Sequence, residues 1–214
     1  MDKKLRKSIC EVAKKAYNEK LVAGTSGNVS AVNREKQIIY ITPSNLDYSI
    51  MTEDDIMVID YNGNILSGKH KPSSEWNLHA EIYKQMENVG SVIHTHSPYA
   101  TAFAVINKNI PVILVEMIPF LKGDIKVAKF AFPGTKEVGD EAVKILKTRN
   151  SALLQNHGVV AIGDTPEQAY IRAVYTEDAA KEYHFALQIG VPEIVPLSIV
   201  NKMRKKYNLE IEEE

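Results

Sequence analysis

The chain has 214 residues, 44% hydrophobic and 25% charged, with a formal net charge of −1. These are ordinary proportions for a globular protein with a sizeable core, and they exclude a global field that would attract nucleic acid or an anionic membrane. The most apolar run, IPVILVEMIPFL, is too short for a membrane span and is broken by Glu116 and two prolines.

The opening, MDKKLRKSIC, carries charge with no hydrophobic segment behind it, so no signal peptide is expected. The single cysteine, Cys10, suits a reducing compartment, and cytoplasm is the expected location. Leu5, Ile9, Val12 and Ala16 recur every three or four residues, which predicts an amphipathic helix over 2–20 with Cys10 packed beside its stripe. GTSGNVSAV breaks that helix and leads towards short strands at QIIYIT (37–42) and DIMVID (55–60), the latter followed by a turn at YNGN. Leu78, Ile82 and Met86 share one face of a helix predicted over 75–86. SVIHTH (91–96) reads as a strand and PYATAFAVI as a helix opened by Pro98. TKEVGDEAVKIL is helical, and SALLQNHGVVAIG makes two strands meeting near Asn156 and His157. Residues 165–189 form one long helix, capped by Thr165 with Pro166 at its first position. No repeat, linker or composition shift interrupts the chain, so residues 1–214 are expected to be a single domain. Helices and strands interleave, yet several strand pairs are near enough for hairpins. That predicts an α/β fold with a mixed sheet covered by helices on both faces, not a strictly parallel one.

Alternate side chains of a strand point the same way, so His94 and His96 project from one face and can converge on one metal ion. Two polar residues at a strand end are the plain alternative. His157 lies between apolar runs, directly before a glycine that lets backbone approach closely, and its ring nitrogens need partners. Glu75 stands behind Ser73 and Ser74 at a helix start, where a carboxylate ordinarily faces the helix dipole. A helix beginning there also offers unpaired amides to an anion. His79 sits four residues after Glu75 on the same helical face, as a structural residue or a partner. His70 is expected to be solvated in its charged loop, and His184 to lie on the long helix.

Taken in order and spacing, GTSGNVS, TPSN, PSSEW, HTHSPYA and LLQNHG resemble the class II aldolase/adducin family, most closely its L-fuculose-1-phosphate aldolase branch. The resemblance runs from about residue 5 to the C-terminus. It implies a three-layer α/β/α fold with a central mixed, largely antiparallel sheet, and a homotetramer with active sites near subunit interfaces. It also implies Zn²⁺ held by His94, His96 and His157, with Glu75 as catalytic acid/base and as a fourth ligand when substrate is absent. A sugar phosphate would be held by Gly27, Asn28, Ser44, Asn45, Ser73 and Ser74. No nucleotide P-loop is present and no arginine sits in these segments, so the phosphate would rest on neutral donors. Tyr207 matches a family tyrosine that reaches in from a neighbouring subunit. A second such tyrosine falls at Val115, a departure that leaves the donor to the C4 oxygen open between Glu116 and Tyr207.

The implied reaction is retro-aldol cleavage of a ketose 1-phosphate, L-fuculose 1-phosphate or similar, to dihydroxyacetone phosphate and a short aldehyde. The family's L-ribulose-5-phosphate 4-epimerases share this chemistry but carry aspartate where this chain has Glu75. A methylthioribulose-1-phosphate dehydratase is a further relative. An adducin-like interaction domain without catalysis is the reading from another class, and the full set of three histidines and Glu75 counts against it. A metallopeptidase would lack its H-E-x-x-H.

Overall fold

The apolar stripe at the start of the chain forms α1 (Asp2–Asn18), with Ile9, Val12, Ala13 and Ala16 fully buried. The computed structural model describes residues 2–211. Then come β1 (Asn28–Asn33), β2 (Ile38–Ile41), β3 (Met57–Asp60) and β4 (Ile65–Ser67). The helix α2 (Trp76–Gln85), the strand β5 (Ser91–Thr95) and the helices α3 (Pro98–Val105) and α4 (Met117–Leu121) follow. The chain continues through β6 (Val127–Ala128), α5 (Lys136–Leu146), β7 (Ser151–Leu154) and β8 (Gly158–Gly163). It then forms α6 (Pro166–Ile189), capped as predicted by the Thr165 hydroxyl, and α7 (Leu197–Lys206).

The strands make one open sheet in the order β4-β3-β2-β1-β5-β8-β7-β6. All neighbours are antiparallel except β6 and β7. Side chains alternate between two faces. Ile39, Ile41, Val92, Val160 and Ile162 join the core under α2 and α5. Tyr40, Ile93 and Ala161 join the core under α1 and the first half of α6. A third cluster packs α3, α4, α7 and the middle of α6 around Leu153 and Val159. The result is the three-layer α/β/α arrangement with a mixed, largely antiparallel sheet. No helix among the described residues is long and apolar enough to cross a membrane.

Three local expectations change. The strand expected over 55–60 begins at Met57, because Asp55 turns inward and accepts from the Thr52 amide and hydroxyl at 2.8 and 2.7 Å. Its other oxygen holds His70 at 2.8 Å and Lys69 at 2.9 Å, so His70 is half-buried and paired, not solvated. The apolar run at 110–121 hides the short α4, and the segment after residue 189, where no element was predicted, carries α7. Cys10 is packed as expected: it is buried, and its thiol donates to the Met51 carbonyl at 3.4 Å.

Candidate functional site

β5 runs between β1 and β8, so His94 has Asn28 on one side and Val160 on the other. His94 alternates with Ile93 and shares the face of Val92, which points it beneath α2. Its Nδ1–H donates to the Val159 carbonyl at 2.8 Å, which leaves Nε2 as a lone pair facing the sheet's end. His96 lies one residue beyond the strand, where its amide donates to Leu21 rather than to the ladder. Directly after it, the Glu177 carboxylate on α6 accepts the Tyr99 and Ala100 amides at 3.0 and 2.8 Å and fixes the start of α3. His157 closes the turn between β7 and β8, with Asn156 in the left-handed region at φ 56°.

Gly158 makes the convergence sterically possible. A Cβ there would meet the Thr95 carbonyl at 2.4 Å and the rings of His94 and His96 at 3.1 Å. Gly158→Ala is therefore expected to splay the three rings and abolish stoichiometric metal binding, read by elemental analysis of the purified protein. Metal retained at the wild-type level would show that the strands relax without moving the rings.

Glu75 is the N-cap residue of α2, but its side chain makes no capping bond. Its carboxylate turns to the histidines instead: Oε2 is 3.0 Å from His94 Nε2 and Oε1 is 3.0 Å from His157 Nε2. Oε1 is buried and lies outside hydrogen-bonding alignment, an orphan acceptor. His94 Nε2 and His96 Nε2 are 2.9 Å apart, and the ring centroids lie 4.7–5.3 Å from one another. One ligand atom from each of the four residues falls within 4.8 Å of the others. Burial pushes the Glu75 carboxyl up, but His94 and His157 outweigh it and hold the group well below the usual carboxylate range. Burial, then the fields of His94 and His157, pushes His96 down to about 4, so it is neutral at pH 7. Three imidazoles and one carboxylate gathered in this way suit a divalent cation, whose ligands at ~2.0–2.2 Å in a tetrahedron stand roughly 3.3 Å apart. The donor set fits, and an orphaned oxygen facing nitrogen lone pairs is the local chemistry that a cation would satisfy.

Beside the cluster opens a cleft of about 320 Å³. Gly27, Asn28, Ser44, Asn45, Ser73 and Ser74 all line it, together with Glu75 and His96. Backbone bonds join its walls: the Ser73 amide donates to Thr42 at 3.1 Å and the Ser44 amide to Lys71 at 2.9 Å. Gly27 sits at φ 75°, and a Cβ would meet Val22 at 2.5 Å and the His94 carbonyl at 2.8 Å. The buried Tyr48 hydroxyl donates to the Gly27 carbonyl at 2.6 Å and anchors that wall. Another cleft, of about 350 Å³ between Lys122 and Arg172, shares no residue with the cluster. Tyr207 ends α7 at 42% exposure and Val115 precedes α4 at 47%; neither lines the cleft of its own chain. His184 is on α6 beside Tyr99 and Phe185. The sequence reading missed Tyr48, Ser30 and Tyr83; for Tyr83 the signal was its spacing of four after His79 and eight after Glu75.

Residues 7–184 match the family described as Class II Aldolase and Adducin N-terminal domain. The chain is 34% identical over 214 residues to an L-fuculose phosphate aldolase of Escherichia coli, covering 98% of each. It is 32% identical over 204 residues to a 5-deoxy-D-ribulose 1-phosphate aldolase of Bacillus thuringiensis, covering 95% of each. A solved L-fuculose 1-phosphate aldolase superposes with a TM-score of 0.90 at 34% identity, over 96% of this chain and 97% of that one. With its sheet order, helix layers and histidine–glutamate cluster in place, the chain belongs to the class II aldolase and adducin family, as an aldolase-type lyase.

Proposed function

We propose that the protein is a zinc-dependent aldolase that cleaves a ketose 1-phosphate between C3 and C4, releasing dihydroxyacetone phosphate and a short aldehyde. L-fuculose 1-phosphate and 5-deoxypentulose 1-phosphates are the first candidates, from the names of the relatives above. The observation that carries the reading is the convergence of Glu75, His94, His96 and His157 within 4.8 Å, at the edge of a cleft lined by small neutral donors. A bound zinc ion would supply Lewis-acid polarisation of the substrate's oxygens. His94, His96 and His157 would hold it, and Glu75 would give up its place to substrate. As the C3–C4 bond breaks, its electron pair stays on C3 and the C4 hydroxyl proton departs. Glu75, ionised at rest and within hydrogen-bond reach of the cleft, takes up a proton from solvent, delivers it to C3 and completes dihydroxyacetone phosphate. Ser44, Asn45, Ser73, Ser74, Gly27 and Asn28 would hold the phosphate at the other end.

The assembly is proposed as a homotetramer in the cytoplasm, with the Tyr207 hydroxyl of a neighbouring copy relaying the C4 hydroxyl proton, accepting it as it releases its own to solvent. Its exposure on α7, away from its own chain's cleft, supports that role, as do the exposed Phe185, Ile189, Val191 and Ile199 nearby in sequence. A panel of ketose 1-phosphates, assayed for dihydroxyacetone phosphate release by zinc-supplemented protein, tests the proposal. Turnover of at least one is expected. Silence across the panel, with zinc bound, would overturn the aldolase reading.

A further inference from the structure

The face between β1 and α2 carries a polar row of which the reaction above uses only the outer end, Glu75 and Asn28. On β1, Asn28 and Ser30 point to one side; on α2, Glu75, His79 and Tyr83 recur every four residues. Four residues of helix rise about 6 Å and two of strand about 6.6 Å, so the two rows stay in step. Asn28 Nδ2 donates to Glu75 Oε2 at 3.3 Å. Asn28 Oδ1 contacts His79 Nε2. His79 Nδ1 is 2.6 Å from the Ser30 hydroxyl, which is 2.7 Å from the Tyr83 hydroxyl. His79, Ser30 and Tyr83 are fully buried and Asn28 is 3% exposed, so water cannot substitute for the links that His79 and Ser30 make.

The direction of every proton in this row is forced. Asn28 presents its amide NH₂ to Glu75 Oε2 and its oxygen to His79. That oxygen needs a donor, which places the single proton of a neutral His79 on Nε2. Nδ1 must then accept from Ser30, and Ser30 in turn from Tyr83. Bonds aligned this way polarise one another.

We infer that His79 is a positioning residue, which locks the Asn28 amide in the one orientation that donates to the Glu75 carboxylate and so fixes the acid/base in place. The inference rests on the reading of Glu75 as the acid/base. Burial, then the field of His94, pushes His79 down to about 3, in keeping with a ring that is neutral at pH 7.

Two substitutions divide the ring's functions. In His79→Gln the terminal amide stands where Nε2 was and still donates to Asn28; in His79→Asn it stands where Nδ1 was, and the Asn28 bond is lost. The probe is dihydroxyacetone phosphate alone in D₂O, with exchange of its hydroxymethyl proton followed by NMR and metal content measured in parallel. Expected is a roughly 10-fold or greater slowing in His79→Asn at unchanged zinc, with most of the rate kept in His79→Gln. Equal rates in the two variants would mean that the ring only fills space, and would overturn the assignment. Nitrogen-15 NMR of the wild type decides independently of folding or turnover: His79 must be protonated on Nε2 and bare on Nδ1. The opposite tautomer sinks the inference. Absence of exchange in wild type alongside the expected tautomer would count against the aldolase reading and leave the hydrogen-bonded row standing.

Discussion

Glu75→Gln is expected to lower kcat for dihydroxyacetone phosphate release by about 10²–10⁴-fold, the range by which a positioned general acid–base accelerates proton transfer. Glutamine keeps the shape of the side chain and an oxygen to face the histidines, so the rings should stay gathered and zinc should stay bound. What glutamine lacks is a basic oxygen to exchange a proton with C3. The variant therefore separates holding the metal from moving the proton, and a large fall in kcat at nearly unchanged KM is the expected signature. Full activity in Glu75→Gln would remove Glu75 from the chemistry, whatever its proximity to His94 and His157.

His94→Ala is expected to lose both zinc and all measurable turnover. His94 is wholly buried between β1 and β8, and its Nδ1–H holds the Val159 carbonyl. Removing the ring deletes a ligand and the hydrogen bond to that carbonyl, a loss of about 0.5–1.5 kcal/mol. Chelator treatment of the wild type should abolish activity while leaving the ring in place, so its fall in Tm reports the metal's contribution alone. Binding at about 1,000 times Kd stabilises by roughly 4 kcal/mol, enough for a clear shift. Added zinc should restore the chelated wild type and leave His94→Ala inactive. A chelated protein with full activity would exclude the metal from the reaction.

Much of this architecture is legible in the sequence because its signals are local. The alternation of Ile39, Tyr40 and Ile41, and of Val92 and Ile93, sends successive side chains to opposite cores, as a period of two requires. The Thr165–Pro166 start of α6 is a capping signal that acts within one turn. Elements without a local signal are hidden. β6 is two residues long and exists through its parallel pairing with β7. α4 is a five-residue helix inside an apolar run interrupted only by Glu116 and two prolines, too short to show a period. His70 looked solvated because the carboxylate that holds it, Asp55, is 15 residues away.

By type and spacing the sequence alone marked two histidines two apart as a possible metal pair; that His157, before a glycine, and Glu75, at a helix start, would join them was implied by the family resemblance. Local physics assigned that glutamate to the helix dipole, and there it was incomplete. The tertiary structure shows that the Glu75 side chain caps no amide of α2 and turns to His94 and His157. Only it brought the Ser44 and Ser73 loops against one cleft, by backbone bonds between segments far apart in sequence. The reason is that propensity and periodicity act over a few residues. The directions in which a carboxylate and three imidazoles point are set by which strands lie side by side, and by a Gly158 that lets them come close.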